Sequence, residues 1–151
     1  MPQEKRRHIV LVDTREPPVV KQAIQCMLPD EIELVALPEG DFALTDRDTC
    51  FLGIERKTVS DFLASLADGR LAAQIARMSK TFTTQGLIVE GEYVVTGDGY
   101  LRVAGHTFTT GWRHTALQMT LWSLQRHYPD LVVWWSLNLG TTADIIRGLE
   151  A

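Results

Sequence analysis

The chain has 151 residues, 45% of them hydrophobic and 23% charged, and it carries a net charge of −4 with a pI near 5.5. These values predict one folded domain over residues 1–151, and no apolar run approaches the roughly 20 residues that cross a bilayer. An acidic balance disfavours nonspecific wrapping of nucleic acid but permits a local basic groove. Because the N-terminus lacks the apolar core and cleavage site of a signal peptide, we expect a cytoplasmic protein without membrane contact. Cys26 and Cys50 show no metal-type spacing, so both are expected to be buried, reduced thiols.

The first third of the chain predicts a strand, a helix and a second strand. HIVLVD at residues 8–13 is typical of a buried strand, and the two prolines of TREPP end it. Residues 19–27 fit a short helix that stops before Pro29. EIELVAL at residues 31–37 alternates polar and apolar positions, as a half-buried strand does.

Residues 42–57 predict a β-hairpin in which residues 42–44 lead out, TDRD turns, and residues 49–57 return. With the turn centred on residue 48, position 41 falls opposite position 55. Directly opposed residues on antiparallel strands have Cβ atoms roughly 5 Å apart. Asp41 and Glu55 are therefore expected to be neighbouring carboxylates on adjacent strands.

Three charges end the returning strand at the point where a helix is expected to begin. Lys57 lies two residues beyond Glu55 and so points to the same face of the sheet, whereas Arg56 points to the other. Thr58 suits an N-cap and Asp61 the N3 position, a variant of the capping box. A surface strand ending in solvated charges is the ordinary alternative. The apolar run before Glu55 and the capped helix after it favour a central strand.

Helices and strands alternate through the rest of the chain. Helices are predicted at residues 59–67 and 70–82, and Arg70, Gln74 and Arg77 form a polar stripe on the second. They are followed by a strand at residues 86–91, a loop or small hairpin over residues 92–110, a helix ending before Pro129, a strand at residues 131–138, and a last helix through Leu149 capped by Thr141 or Thr142. This order predicts an α/β sandwich with a central mixed sheet.

The paired carboxylates Asp41 and Glu55 indicate a site for a cation. Two opposed carboxylates raise the free energy of the fold unless a proton or a cation lies between them. Oxygen ligands without His or Cys nearby favour Mg²⁺ or Mn²⁺ over Zn²⁺. Lys57 adds a positive charge that can orient a water or stabilise a charged transition state, and Asp13 is a candidate third carboxylate if its strand lies beside the hairpin. These residue types suit phosphodiester hydrolysis.

Four motifs resemble the nuclease domain of the XPF family of structure-specific DNA endonucleases. They are VDTRE at residues 12–16, EGDFAL at 39–44, ERKTVSDF at 55–62 and SLADGRLAAQ at 65–74. The resemblance implies the restriction-endonuclease-like, PD-(D/E)XK fold, a three-layer sandwich whose central mixed β-sheet is flanked by helices. With LIVEG and the final helix–strand–helix, it covers nearly the whole chain.

The resemblance also implies roles for individual residues. The family's metal ligands fall on Asp41 and Glu55, with Asp13 in a supporting acidic position, and its catalytic lysine falls on Lys57. The ions implied are Mg²⁺ or Mn²⁺, and the products are 5′-phosphate and 3′-hydroxyl ends.

Residues flanking the acidic centre match the family motifs as well. Arg15, Arg56, Arg70 and Gln74 are expected to contact DNA, and Glu16 and Asp61 to support the site. Each has a structural alternative: Arg15 and Arg56 pair with Glu16 or Asp61, Asp61 caps its helix, and Arg70 and Gln74 belong to a solvated face. Glu90 is a further acidic residue that could lie near the site. The four tryptophans could stack on bases, although their positions favour packing: Trp112, Trp122, Trp134 and Trp135.

We therefore expect a divalent-metal-dependent DNA endonuclease that acts on branched, flapped or otherwise structured duplex DNA, nucleoid-associated if the source is prokaryotic or phage. One departure from the family is that no helix-hairpin-helix domain is expected after the nuclease domain. A homodimer or heterodimer through the C-terminal helix–strand–helix, or a separate DNA-targeting partner, would compensate. The alternatives are a non-catalytic scaffold subunit of a nuclease complex and a Holliday-junction-resolvase-like or restriction-like nuclease on the same fold.

Overall fold

The computed structural model describes residues 9–29, 32–46, 49–107 and 109–150. The elements in chain order are β1 (Ile9–Asp13), α1 (Pro18–Met27), β2 (Ile32–Val35), β3 (Phe42–Asp46), β4 (Thr49–Thr58), α2 (Val59–Ala67), α3 (Arg70–Thr81), β5 (Thr84–Glu90), β6 (Tyr93–Val95), β7 (Leu101–Val103), α4 (His114–His127), β8 (Leu131–Ser136) and α5 (Leu139–Glu150). His8, Glu31 and the turn residues 47 and 48, which the sequence assigned to strands and a turn, lie outside the described residues.

Six strands form one mixed sheet in the order β2-β1-β3-β4-β5-β8. β1 pairs parallel with β2 and antiparallel with β3, β3 and β4 form the antiparallel hairpin, and β4, β5 and β8 are parallel. β4 lies between β3 and β5, so the prediction of a central strand ending in charges is confirmed. β6 and β7 form a separate two-stranded hairpin, within the segment predicted as a loop or small hairpin.

Two apolar layers cover the sheet. On one face α1 and α5 pack over β1, β3, β4 and β5, where Ile24 and Ile146 are fully buried. On the other face α2, α3 and α4 pack over β5 and β8 around Phe62 and Leu87, and Met78 of α3 packs beneath β3. Because successive residues of a strand point to opposite faces, Ile88 joins the first layer and its neighbour Leu87 the second. The predicted three-layer sandwich is confirmed.

The last helix begins earlier than the sequence predicted. α5 starts at Leu139, and the side-chain Oδ1 of Asn138 accepts a hydrogen bond of 2.9 Å from the backbone N of Thr141. Asn138, not Thr141 or Thr142, therefore supplies the cap, because Asn satisfies free N–H groups at a helix start as well as Thr does. Thr142 is fully buried inside the helix. A second correction concerns the cysteines: Cys26 is exposed and Cys50 only half-buried, whereas both were expected to be buried, although both are free thiols.

None of the helices in the described part of the chain is long and apolar enough to cross a bilayer.

Gly53 of β4 allows the end of α3 to lie against the sheet. A Cβ placed on Gly53 would lie 2.1 Å from Cδ2 of the buried Phe82 ring, which follows α3. We expect Gly53→Ala to lower the free energy of unfolding by about 2 kcal/mol, because a rigid ring and a central strand must move apart. Urea unfolding measures this change. Gly97→Ala is the control, since no atom lies within 4 Å of its added Cβ, and equal losses in both variants would contradict the packing explanation.

Candidate active site

The start of β3 and the end of β4 bring the predicted acidic residues together. Phe42 pairs with Ile54, so Asp41 and Glu55 occupy neighbouring positions in the predicted register. The register shifts only between Leu44 and Thr45, beyond the site. The backbone N of Asp41 donates to the carbonyl of Ile54 at 2.7 Å. The hairpin itself therefore fixes the position of Asp41.

Gly40 turns the chain into the site with a φ of +81°. This left-handed conformation strains residues that carry a Cβ. An added Cβ at Gly40 would also lie 3.2 Å from the carbonyl oxygen of Ile54. Glycine thus lets the loop before β3 approach β4 closely enough to place Asp41 there.

Glu16 shares a hydrogen bond with the carboxylate of Asp41. Burial, together with the charge of Asp41, raises the pKa of Glu16 to about 8. The Oε2 atom of Glu16 is buried and meets no hydrogen-bond donor among the described residues. Oδ2 of Asp41 accepts a bond of 2.8 Å from the backbone N of Arg56. Two carboxylates this close require a proton or a cation between them.

Glu55 and Lys57 share one face of β4, as predicted, with the Lys57 Nζ 4.0 Å from Glu55 Oε1. Nε2 of Gln74, on α3, donates to the same oxygen at 3.3 Å. Burial and the nearby Asp41 raise the pKa of Glu55 to about 7. The Lys57 side chain is 12% exposed, and Oε1 of Gln74 is buried without a donor from the described residues. The enclosed ammonium group of Lys57 therefore lies beside several acceptor oxygens.

Loss of the protons held by the acidic cluster should make the metal-free protein less stable at alkaline pH than at acidic pH. The pKa of Glu16 is higher in the folded state than its ordinary value near 4.5, so the folded state binds more protons and stability falls as pH rises from about 5 to 8. We expect Glu16→Gln to reduce the difference in Tm between pH 5.5 and pH 8 measured in EDTA. Glu33→Gln, exposed on β2, is the control. An unchanged difference in Glu16→Gln would contradict this assignment.

Asp13 lies beside the site in the backbone, but its carboxylate is engaged by Arg15. The backbone N of Asp13 donates to the carbonyl of Asp41 at 2.9 Å, because β1 does lie beside the hairpin. The Arg15 Nε is 3.2 and 2.9 Å from the two Asp13 oxygens, and its Nη2 bonds the Leu37 carbonyl at 2.8 Å. Burial alone would raise the pKa of Asp13, but the bonds from Arg15 hold it below its ordinary value. Metal binding by Asp13 stays a prediction, and Glu16 is the carboxylate in contact with Asp41.

Arg56 points to the face opposite Lys57, as predicted, and there it meets Glu90 rather than Glu16 or Asp61. Its Nε and Nη2 bond the two Glu90 oxygens at 3.0 and 2.6 Å, and this pair is largely buried. Burial acts to raise the pKa of Glu90, but hydrogen bonds from Arg56 and Thr142 bring it below its ordinary value. Contact of Arg56 with DNA stays a prediction, whereas its guanidinium is committed to Glu90.

The remaining predicted residues, Arg70 and Asp61, bond residues outside the acidic cluster. Arg70 is exposed at the start of α3 and bonds Asp68, with Nε 2.6 Å from Oδ2. Asp61 is in the first turn of α2, where its backbone N donates to Thr58 Oγ1 at 3.2 Å, which confirms the predicted cap. Gln74 was expected to contact DNA or to belong to a solvated face. Its side chain instead bonds Glu55, so it is part of the site, and contact of Gln74 with DNA stays a prediction.

The oxygen atoms of this cluster fit a hard divalent cation. Across the described ranges, no group of three or more His, Cys, Asp or Glu side chains is arranged to enclose a metal ion. Mg²⁺ does not need such a cage, since it usually binds one or two carboxylates and keeps several waters. Asp41 and Glu55 supply two carboxylates, and the buried oxygens of Glu16 and Gln74 without donors would gain from a nearby cation. The donor set therefore suits Mg²⁺ or Mn²⁺.

Comparison with known proteins assigns the chain to a family. A family model described as the ERCC4 domain matches residues 12–149. The chain belongs to the ERCC4 domain family. The matched range of this ERCC4 domain includes the acidic cluster, Lys57 and the Arg56–Glu90 pair.

Curated relatives and solved structures agree with this membership. The ERCC4 domain is 30% identical over 120 residues to the DNA repair endonuclease XPF of Cricetulus griseus, which is 80% of this chain and 12% of that protein. It is 27% identical over 148 residues to the protein of the same name from Drosophila melanogaster, 93% of this chain and 14% of the relative. The chain thus spans only about an eighth of the length of these relatives.

Among solved structures, XPF from Aeropyrum pernix superposes with a TM-score of 0.71 at 29% identity, covering 93% of this chain and 62% of that one. The complex of Aeropyrum pernix XPF with DNA superposes with a TM-score of 0.66 at 28% identity, covering 95% and 64%. The XPF nuclease-domain fold that the motifs implied is therefore confirmed for this ERCC4 domain.

Proposed function

We propose that this ERCC4 domain is a divalent-metal-dependent DNA endonuclease. The observation that carries the proposal is the convergence of Asp41, Glu55 and Lys57 at the end of the central strand β4, beside Glu16. Four polar groups gathered where a buried strand reaches the surface, two of them carboxyls with raised pKa values, are typical of a catalytic centre. Family membership adds support, because the named XPF relatives are endonucleases.

Asp41 and Glu55 would hold Mg²⁺ or Mn²⁺, and the Arg56 backbone N–H would keep Asp41 in its ligand position. When bound, the ion supplies positive charge that polarises the scissile phosphate and offsets charge in the transition state. Glu16 would lose its shared proton as the cation enters, because one positive charge replaces the other between the two carboxylates. Asp13 would support the site by fixing Arg15 beside it.

Lys57 and Gln74 would position the attacking water. The Lys57 ammonium is enclosed, so its charge acts at close range on the phosphate and the water rather than being screened by solvent. The buried Gln74 Oε1 is an acceptor that can receive a hydrogen bond from that water, while its Nε2 stays on Glu55. The water oxygen would attack phosphorus as the P–O3′ bond breaks, leaving 5′-phosphate and 3′-hydroxyl ends.

Structured duplex DNA is the proposed substrate. The Aeropyrum pernix relative has been solved in complex with DNA. Here Arg15 engages Asp13, and Arg70 lies one helical turn before Gln74 on α3. Both side chains are exposed, so they would contact phosphates, which need cations. Arg56 is better suited to holding the strand, since Glu90 neutralises it on the opposite face. We propose a role in DNA repair, in line with the names of the relatives, or in recombination.

A dimer through the C-terminal elements is also proposed. Met119 and Trp122 of α4 are 60% and 58% exposed, and Trp135 of β8 and the following Leu137 are exposed as well. β8 is the last strand of the sheet, so its outer backbone groups have no strand partner within the described residues. Exposed aromatic and methionine side chains next to a sheet edge are typical of a protein interface.

The proposed activity is tested by incubating the purified protein with labelled flap, splayed-arm, four-way-junction and linear duplex DNA, each with Mn²⁺, Mg²⁺ or EDTA. We expect cleavage of branched substrates that requires a divalent ion, and little cleavage of linear duplex. Preference for the four-way junction would favour a resolvase-like enzyme. Absence of cutting on every substrate, in protein that does not bind Mn²⁺, would overturn the enzymatic proposal and leave a scaffold subunit.

A further inference from the structure

A polar network on the opposite face of β4 from Glu55 connects the candidate active site to α5. The Arg56 guanidinium bonds both oxygens of Glu90 on β5, at 3.0 and 2.6 Å. The Oγ1 atom of Thr142 on α5 donates to Glu90 Oε1 at 2.6 Å and lies 2.8 Å from Ser136 Oγ. The network thus includes three neighbouring strands, β4, β5 and β8, and the helix α5.

Burial makes this network stiff. The side chains of Arg56 and Glu90 are 19% and 11% exposed, and Thr142 is fully buried. A two-bonded pair between a guanidinium and a carboxylate has a fixed mutual orientation as well as a strong attraction. Its orientation is further fixed by α5, which packs over the sheet through Ala143 and Ile146. Side-chain motion at Arg56 is therefore restricted.

Arg56 links this network to the acidic cluster through its backbone. Its side chain bonds Glu90, and its own backbone N–H donates to Asp41 Oδ2 at 2.8 Å. The direction of that N–H depends on how β4 is held at Arg56. One residue therefore connects a helix on the far side of the sheet to a carboxylate that the proposed function assigns to the metal.

We propose that Glu90 is a positioning residue of the active site, held by Thr142 of α5 and holding Arg56 so that the Arg56 backbone N–H fixes the Asp41 carboxylate. The catalytic part of this inference rests on the proposed nuclease function; the coupling from α5 to Asp41 does not. A buried ion pair with a purely structural role would stabilise the fold without affecting Asp41. The two roles differ in what happens at the Arg56 amide and in the turnover of correctly folded protein.

The experiment compares the full chain with Thr142→Val, which removes one hydroxyl at similar volume, and Glu90→Gln, which removes the charge. Asp144→Asn is the control, because its ion pair with Arg147 lies on the exposed face of the same helix. The readouts are hydrogen exchange at the Arg56 amide, Mn²⁺ affinity, and kcat and KM for a flap substrate below the melting temperature. Residues that orient a metal ligand typically change affinity or activity about 10- to 100-fold.

We expect Thr142→Val to speed exchange at the Arg56 amide by about tenfold, and Glu90→Gln to lower kcat and Mn²⁺ affinity by about tenfold with KM nearly unchanged. Asp144→Asn should match the wild type. Unchanged exchange and kcat in both variants, with only a lower Tm, would overturn the proposal while leaving the nuclease function intact. If the wild type cuts no DNA but the variants still exchange the Arg56 amide faster than the wild type does, the coupling would be upheld and the nuclease function rejected.

Discussion

Asp41→Asn is expected to reduce metal-dependent DNA cleavage by about a thousandfold or more. The substitution keeps the shape of the side chain and its bond from the Arg56 N–H, but it removes half the negative charge available to a cation from Asp41 and Glu55. A bound ion contributes several kcal/mol of transition-state stabilisation, and about 4 kcal/mol corresponds to a thousandfold in rate. Single-turnover cleavage of the preferred substrate, together with Mn²⁺ titration, measures the loss.

Glu39→Gln is the matched control for that variant. Glu39 lies two residues before Asp41, but its Oε1 forms an ion pair with Arg77 Nε at 3.2 Å, and we assign it no role in metal binding. We expect its cleavage rate to stay within about threefold of the wild type, since a partly exposed ion pair contributes little. Equal losses in the two variants would mean that the general negative charge of the loop matters, not the ligand position of Asp41.

Lys57→Met should lower kcat by about 100- to 1000-fold while leaving Mn²⁺ affinity nearly unchanged. Methionine preserves the length and apolar part of the side chain, so the enclosed position can still be filled. The substitution removes a positive charge about 4 Å from Glu55 that would act on the phosphate and the attacking water. Loss of one preorganised electrostatic group at a reacting centre typically has this effect.

Lys80→Met serves as the comparison, because Lys80 is exposed in the last turn of α3. It removes the same charge from the protein without touching the acidic cluster. We expect unchanged kcat and at most a small rise in KM at low salt. If Lys57→Met lost DNA affinity instead of kcat, Lys57 would be a phosphate-binding residue rather than part of the catalytic centre.

The register of the hairpin at the site could be predicted from the sequence because strands so close in sequence leave few pairings. The four-residue turn was wrong, since Thr45 and Asp46 extend β3 and the register shifts after Leu44. Alternation along β4 then fixed which charges share a face, and Lys57 and Arg56 lie on the opposite faces expected. Thr58 and Asp61 form the predicted cap because capping depends only on local chain geometry. These predictions involve residues close in sequence or directly paired.

The side-chain partners of Asp13, Glu16 and Glu90 could not be predicted from the sequence in the same way. Nothing in the pattern around Asp13 shows that Arg15, two residues later, turns back to engage its carboxylate. Glu16 approaches Asp41 because its backbone N bonds the Asp13 carbonyl in a turn just after β1. Glu90 and Thr142 are 52 residues apart, and only packing of α5 on the sheet brings them together.

The close contact between Gly53 and Phe82 has a consequence for the spacing of the candidate site. Phe82 follows α3 directly, and the same helix carries Gln74 to Glu55, which lies two residues beyond Gly53 on β4. The depth to which the ring sits on the glycine therefore sets how far the helix stands from the strand. A side chain at position 53 would act as a wedge that widens this gap. We therefore expect a variant that remains folded to hold Gln74 farther from Glu55. One small residue would then affect both the packing of the core and the spacing of the candidate site.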